Sequence, residues 1–91
     1  MAKWKYTITN GTHLREAIED GNSAETAVTL IDCCNELLSK FSKRDKEDFE
    51  EDIQGIIDTL LDVDLYNSEE IDDCLSDFYN ICDYIRAFVA L

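Results

Sequence analysis

Catalytic chemistry in this 91-residue chain would depend on one histidine, His13, and four cysteines. A cysteine nucleophile needs a nearby base such as histidine. Cys34, Cys74 and Cys82 fall on apolar helical stripes, where a thiol acts as a small hydrophobic side chain with a raised pKa. Cys33 lies at the edge of its stripe and is expected to be the most reactive thiol. Since the sequence contains no glycine-rich phosphate loop and no GxSxG or HExxH motif, it predicts no enzyme and no catalytic residue.

The spacing of the cysteines and acids also argues against a metal centre. The cysteines do not show the spacing of two to four residues that structural zinc sites use. Residues 62–73 place acids at the first and third positions of a calcium loop, but Tyr66 and Asn67 occupy positions that need a ligand and a glycine. We therefore expect no bound metal and no cofactor.

The acids are distributed unevenly along the chain. Residues 1–46 contain seven acids and seven bases, whereas residues 47–91 contain fourteen acids and one base, Arg86. The formal net charge of −13 excludes direct binding to nucleic-acid phosphates or to an anionic membrane as the main activity. The acidic half is interpreted either as a solvated surface or as a surface for a basic protein partner.

Helical spacing places several of these acids on outward faces. Over residues 47–64, eight acids would extend along about 27 Å of helix, or about one per 3.4 Å, which equals the charge spacing of one DNA strand. A tyrosine among them would add contact area and a hydroxyl group, although it is equally consistent with an ordinary surface residue. The candidate partner-binding residues are Glu47, Glu51, Asp58, Asp62, Asp73, Asp77 and Tyr84.

The N-terminal segment differs from the rest of the chain in its periodicity. Apolar and polar residues alternate, which predicts a short extended arm over residues 1–10. Because a single strand needs a partner, this arm is expected either to lie on the helices or to pair with another chain. Asn10 and Gly11 indicate a turn before a short helix over residues 12–20, which Gly21 ends.

Apolar residues at helical spacing predict three longer helices after this arm. Each follows a capping residue: Asn22, Ser42, and either Asn67 or Ser68. With short connections, such helices form an antiparallel bundle most naturally. The sequence therefore predicts a single all-α domain over residues 1–91, a compact bundle of three longer amphipathic helices with one short N-terminal helix and the arm. The three longer helices are predicted over residues 23–41, 43–62 and 68–90.

Neither a leader nor a membrane segment is expected. The apolar runs are only a few residues long, whereas a spanning helix needs roughly 20 residues. The first residues lack both an apolar core and a cleavage site. A cytoplasmic location with reduced thiols is therefore the expectation.

Both ends of the chain resemble a group of phage proteins. The segments WKYTITNGTHLREAI and DFYNICDYIRAFVAL are similar to small, acidic, uncharacterised helical proteins encoded in phage and prophage regions of Gram-positive bacteria. The middle of the chain matches this group in its acidic, helical character. The resemblance implies no activity and no catalytic residue. It implies a mobile-element context, in which small acidic proteins sometimes inhibit host DNA-binding machinery.

Taken together, these observations predict a non-catalytic, phage-type protein in the host cytoplasm whose acidic surface engages a basic protein partner. In its most specific form, it would be a nucleic-acid mimic that inhibits a DNA-binding enzyme or a defence complex. The alternative is a small structural or assembly protein. It would self-associate, for example as a homodimer, through its apolar arm or its C-terminus.

Overall fold

The computed structural model describes residues 4–89. Helices make up 76% of it, which confirms the all-α class, and a pair of short strands is added to the four helices. The elements are β1 (Tyr6–Ile8), α1 (Gly11–Glu19), α2 (Ser23–Lys40), α3 (Lys43–Asp62), α4 (Ser68–Ile85) and β2 (Ala87–Val89).

The three longer helices begin at residues that the sequence marks as caps. In each case a side-chain oxygen accepts a hydrogen bond from the backbone N–H three residues later, which satisfies one of the free N–H groups at the helix start. The pairs are Asn22 with Glu25 at 3.1 Å, Ser42 with Asp45 at 3.3 Å, and Asn67 with Glu70 at 3.2 Å.

Gly21 ends the first helix as predicted. Its φ is +69°, in the left-handed region that favours glycine. The N–H of Gly21 donates to the carbonyl of Ile18 at 3.0 Å, and the N–H of Asn22 donates to that of Ala17 at 3.2 Å. These two bonds form a Schellman motif, which satisfies the last carbonyls of α1 and turns the chain into α2.

The C-terminal end differs from the predicted helix over residues 68–90. Helix α4 ends at Ile85, because Arg86 adopts a left-handed conformation with φ 57° and ψ 51°. The next three residues form strand β2. Apolar residues continue at helical spacing through Val89, so periodicity alone did not reveal this end. The left-handed position also carries an arginine rather than the glycine that usually marks it.

Strand β2 is the partner of the N-terminal arm. The two strands run parallel, with Tyr6 opposite Ala87 and Ile8 opposite Val89, and the N–H of Lys5 donates to the carbonyl of Arg86 at 3.0 Å. In both strands the first and third residues are buried and the middle one is exposed. The arm therefore lies on the helices, which was one of the two alternatives, with Tyr6 and Ile8 in the core. The sequence pattern did not predict that it also pairs with a strand of its own chain.

Helix α2 lies at the centre of the packing. It contacts α1, α3, α4 and β1, while β2 packs on α4. The short helix and the arm therefore cover sides of the bundle that the longer helices leave open. The largest fully buried side chains come from almost every element and include Ile8, Leu14, Leu30, Leu37, Ile53 and Phe78.

Two glycines in contrasting conformations offer a matched test of this backbone. A Cβ added at either Gly21 or Gly55 would meet no atom within 4 Å, but only Gly21 has a positive φ. We expect Gly55→Ala, in the interior of α3, to raise the free energy of unfolding by about 0.5–1 kcal/mol. Gly21→Ala should lower it by about 1–2 kcal/mol because of strain. Urea unfolding of both variants checks this, and a stabilised Gly21→Ala would contradict the left-handed turn.

Candidate partner-binding surface

The structure distributes the seven predicted partner-binding residues over several places. Glu47, Glu51 and Asp58 lie along the outer face of α3, and Asp62 lies at the end of that helix. Asp73 and Asp77 lie in a groove between α3 and α4, and Tyr84 lies in a separate pocket.

The outer face of α3 carries mixed charges at its beginning. Lys43 and Lys46 line the same shallow depression as Glu47, Glu51 and Asp58. Lys46 also forms an exposed ion pair with Glu50, with Nζ and Oε2 3.5 Å apart. Exposed pairs of this kind contribute little to stability. They do reduce the negative charge at this end, so the outer face of α3 carries less net negative charge than its number of acids suggests.

The groove between α3 and α4 brings acids from two helices together. It is open, has a volume of about 460 Å³, and is lined by Asp52 of α3 and by Glu70, Asp73 and Asp77 of α4. Ile56 and Cys74, both largely buried, also line it. A second opening with Asn80 in its wall shares Asp52, Ile56 and Asp77 and so extends the groove along α4.

Asp52 and Glu70 are the residues of this groove that sequence reasoning missed. Asp52 lies four residues, about one helical turn, before the buried Ile56, so on a helical wheel it stands beside the apolar stripe and not opposite it. A side chain at that boundary lies next to the neighbouring helix. Position at the edge of the apolar stripe is therefore the signal that could have identified Asp52. The predicted partner-binding residues were instead chosen because they point away from the core.

Most carboxylates of the acidic half are free of ion pairs. Within residues 4–89, Glu50 is the one acid after Asp45 that has a Lys, Arg or His nitrogen within 4 Å. Across the same described range, no three His, Cys, Asp or Glu side chains are arranged so that they could hold a metal ion. The groove can therefore attract cationic side chains, or other cations that do not need a compact set of ligands.

Asp45 joins the N-terminal strand to the start of α3. Its Oδ2 accepts hydrogen bonds from Lys5 Nζ, from Tyr6 Oη and, at 3.1 Å, from Ser42 Oγ. The Tyr6 hydroxyl in turn accepts from the backbone N–H of Ser42 at 3.1 Å. The hydrogen bond from Lys5, followed by that from Tyr6, lowers the pKa of Asp45 below its ordinary value. One buried carboxylate thus fixes β1, and with it β2, against α3.

Glu36 of α2 holds the turn between β1 and α1. Its carboxylate accepts from the backbone N–H of Thr9 at 2.7 Å, from that of Asn10 at 3.2 Å, and from Lys40 Nζ at 2.9 Å. Partial burial acts to raise the pKa of Glu36, but the hydrogen bonds from Lys40, Thr9 and Asn10 together lower it. Lys40 also donates to the carbonyl of Thr7. Two side chains on the polar side of α2 therefore bind the strand.

All four cysteines are buried, which corrects the expectation for Cys33. This residue is fully buried, and burial, with smaller contributions from Glu36 and Asp32, raises its pKa to about 12. The reason is that α2 is covered by neighbours on several sides, so its buried arc is wider than the apolar stripe. Burial likewise raises the pKa of Cys34, Cys74 and Cys82. Thiols of this kind stay protonated near neutral pH and react slowly.

Comparison with family models, with curated proteins and with solved structures found no match. Among residues 4–89, none of the helices has the length and apolar character needed to cross a membrane.

The lowered pKa of Asp45 leads to a pH-dependent prediction. We expect Asp45→Asn to reduce the free energy of unfolding by about 1–3 kcal/mol at pH 7, because hydrogen bonds to an ionised group are lost. The ionised carboxylate stabilises the fold above its unfolded pKa of about 4, and this contribution disappears as the pH falls through the lower folded value. The difference between the two proteins should therefore shrink from pH 5 downward.

Urea unfolding at a series of pH values from about 7 to 2 measures this difference. Asp48→Asn is the control, because Asp48 is an exposed acid on the same helix whose side chain makes no hydrogen bond or ion pair within residues 4–89. A difference for Asp45→Asn that stays constant over the whole series would contradict the role of its charge.

Proposed function

We propose that this protein is a non-catalytic binding protein whose acidic surface on α3 and α4 engages a basic protein partner. The observation that carries the proposal is the groove between the two helices, where Asp52, Asp73 and Asp77 line one opening without a cationic partner among the described residues. Free carboxylates gathered from two helices attract Lys and Arg side chains and speed the encounter with a basic surface.

The length of the surface favours a macromolecular partner over a small cation. The part of α3 from Glu47 to Asp62 is about 24 Å long. The groove runs beside it and is open at the surface, so an extended basic segment or helix would fit along it. The apolar floor at Ile56 and Cys74 would contact the aliphatic part of a Lys or Arg side chain while the carboxylates bind its charged end.

In its most specific form, the proposed activity is imitation of nucleic-acid phosphates, by which the protein inhibits a DNA-binding enzyme or a defence complex of a phage host. Seven acids between Glu47 and Asp62 correspond to about one per 3.4 Å of helix axis, the value for one DNA strand. Four of them line the outer face of α3, and Asp52 lines the groove, where α4 adds Glu70, Asp73 and Asp77. A basic partner would therefore meet two separate rows of charge.

A second candidate function is self-association, which one observation favours. The rings of Trp4, which precedes β1, and of Phe88 in β2 lie 5.7 Å apart, and the two residues remain partly exposed, at 49% and 41%. Paired aromatic side chains of this kind are common at interfaces. In this version two copies of the chain would associate through their strand ends.

Charge reversal tests the first proposal. Asp73→Lys with Asp77→Lys changes two exposed residues of α4, and we expect the helix to remain folded. The affinity for a basic partner should fall about 100-fold or more if the charges are desolvated in the complex. The measurement is capture of partners from host lysate, followed by a binding titration of the captured protein at about 50 and 200 mM salt.

The control is Glu16→Lys with Glu19→Lys, which reverses two exposed acids on α1 and should have a much smaller effect. Equal losses in the two variants would contradict a localised acidic site. Duplex DNA should displace the protein from its partner, and a partner that binds both at once would contradict mimicry. Sedimentation at the same salt concentrations covers the alternative: a salt-resistant dimer without another partner favours self-association.

A further inference from the structure

A cationic pocket lies where β1, α3 and α4 meet. It is open at the surface and has a volume of about 580 Å³. Three of the chain's eight Lys and Arg residues line it, although the chain as a whole carries a charge of −13. The residues that matter for its chemistry are Lys5, Arg44 and Arg86 together with Asp45, Asp48, Phe49 and Tyr84.

Two of the three cations are free to bind a ligand. Lys5 is paired with Asp45, so these two charges largely compensate each other. Within residues 4–89, neither Arg44 nor Arg86 forms an ion pair or a side-chain hydrogen bond. Their guanidinium groups come from different elements, and each can donate two parallel hydrogen bonds to a phosphate or carboxylate.

The backbone at Arg86 supports a role for its side chain in this pocket. Its φ of 57° is the left-handed conformation that glycine adopts more easily. A glycine would therefore make the turn from α4 to β2 with less strain. What arginine adds at this position is a guanidinium group on a residue that lines the pocket.

An open aromatic ring lies beside these arginines. Tyr84 is 79% exposed, and its ring contacts that of Phe49 edge to face, with the centroids 5.4 Å apart. Most of the ring thus remains available for stacking by a planar group. The prediction had placed Tyr84 among carboxylates; in the structure it lines a pocket with Lys5, Arg44 and Arg86 as well as with Asp45 and Asp48.

We propose that this pocket binds a small phosphorylated molecule with a planar ring, of the nucleoside monophosphate class. Arg44 and Arg86 bind its phosphate, and its ring stacks on Tyr84. A long polyanion is disfavoured, because the acidic surfaces of α3 and α4 would repel the parts that extend beyond the pocket. The site is separate from the acidic groove, so the proposal does not depend on the proposed function.

Calorimetric titration with AMP, ribose 5-phosphate and inorganic phosphate at low ionic strength tests the site. We expect AMP to bind most tightly. Arg86→Gly should weaken AMP binding about tenfold or more, while the protein unfolds at the same urea concentration or a higher one. Asp48→Asn removes a nearby negative charge and should tighten binding severalfold. Arg15→Gln, which removes an exposed arginine on α1, is the control and should leave AMP affinity unchanged.

The results separate the parts of the proposal. No saturable binding of AMP up to about 10 mM, or equal affinity in Arg86→Gly and the unchanged protein, would overturn it. Inorganic phosphate binding as tightly as AMP would overturn the stacking on Tyr84. Loss of AMP affinity in Arg86→Gly with retained capture of a basic partner would support the pocket and leave the acidic groove as a separate site.

Discussion

The hydrogen bonds of Asp45 are the interaction on which the rest of this structure depends. A short strand is not stable alone, and β1 has only three residues. Asp45 holds it by accepting hydrogen bonds from two consecutive residues, Lys5 and Tyr6, while Ser42 joins the same network at the start of α3. The network is stronger than its neutral equivalent because both an ammonium group and an ionised carboxylate take part.

This anchored strand determines where both ends of the described chain lie. Because β1 is fixed to α3 by Asp45 and to α2 by Glu36, it presents its other edge to β2, and the chain turns out of α4 at Arg86 to meet it. The same turn forms the wall of the cationic pocket. Farther along α3, away from this anchor, the same helix faces α4 across the acidic groove. The two proposed sites thus differ in charge because different ends of one helix form them.

Local signals predicted the helix starts and the end of α1, because a cap or a glycine acts within a few residues of itself. Long-range contacts could not be predicted in this way. The apolar periodicity of α4 continues into β2. Ile85 and Val89 are four residues apart, so a helical stripe and the alternation of a strand both predict that the two residues are buried. Cys33 was predicted to lie at the edge of the apolar stripe of α2. That edge is buried because several elements pack against this helix. Likewise, the division of the acids between two faces of α3 depends on where α4 packs, which spacing along one helix does not show.

A double-mutant cycle on Tyr6→Phe and Asp45→Asn tests the anchoring of β1 most directly. Tyr6→Phe removes the hydroxyl group and leaves the buried ring, so it separates the hydrogen bonds of that hydroxyl, to Asp45 and from the backbone N–H of Ser42, from the packing of Tyr6. The free energies of unfolding of the four proteins are measured in urea at pH 7. The structure predicts a coupling energy of about 1–2 kcal/mol between the two positions. A coupling near zero, with the two effects simply additive, would contradict the claim that this contact holds the strand.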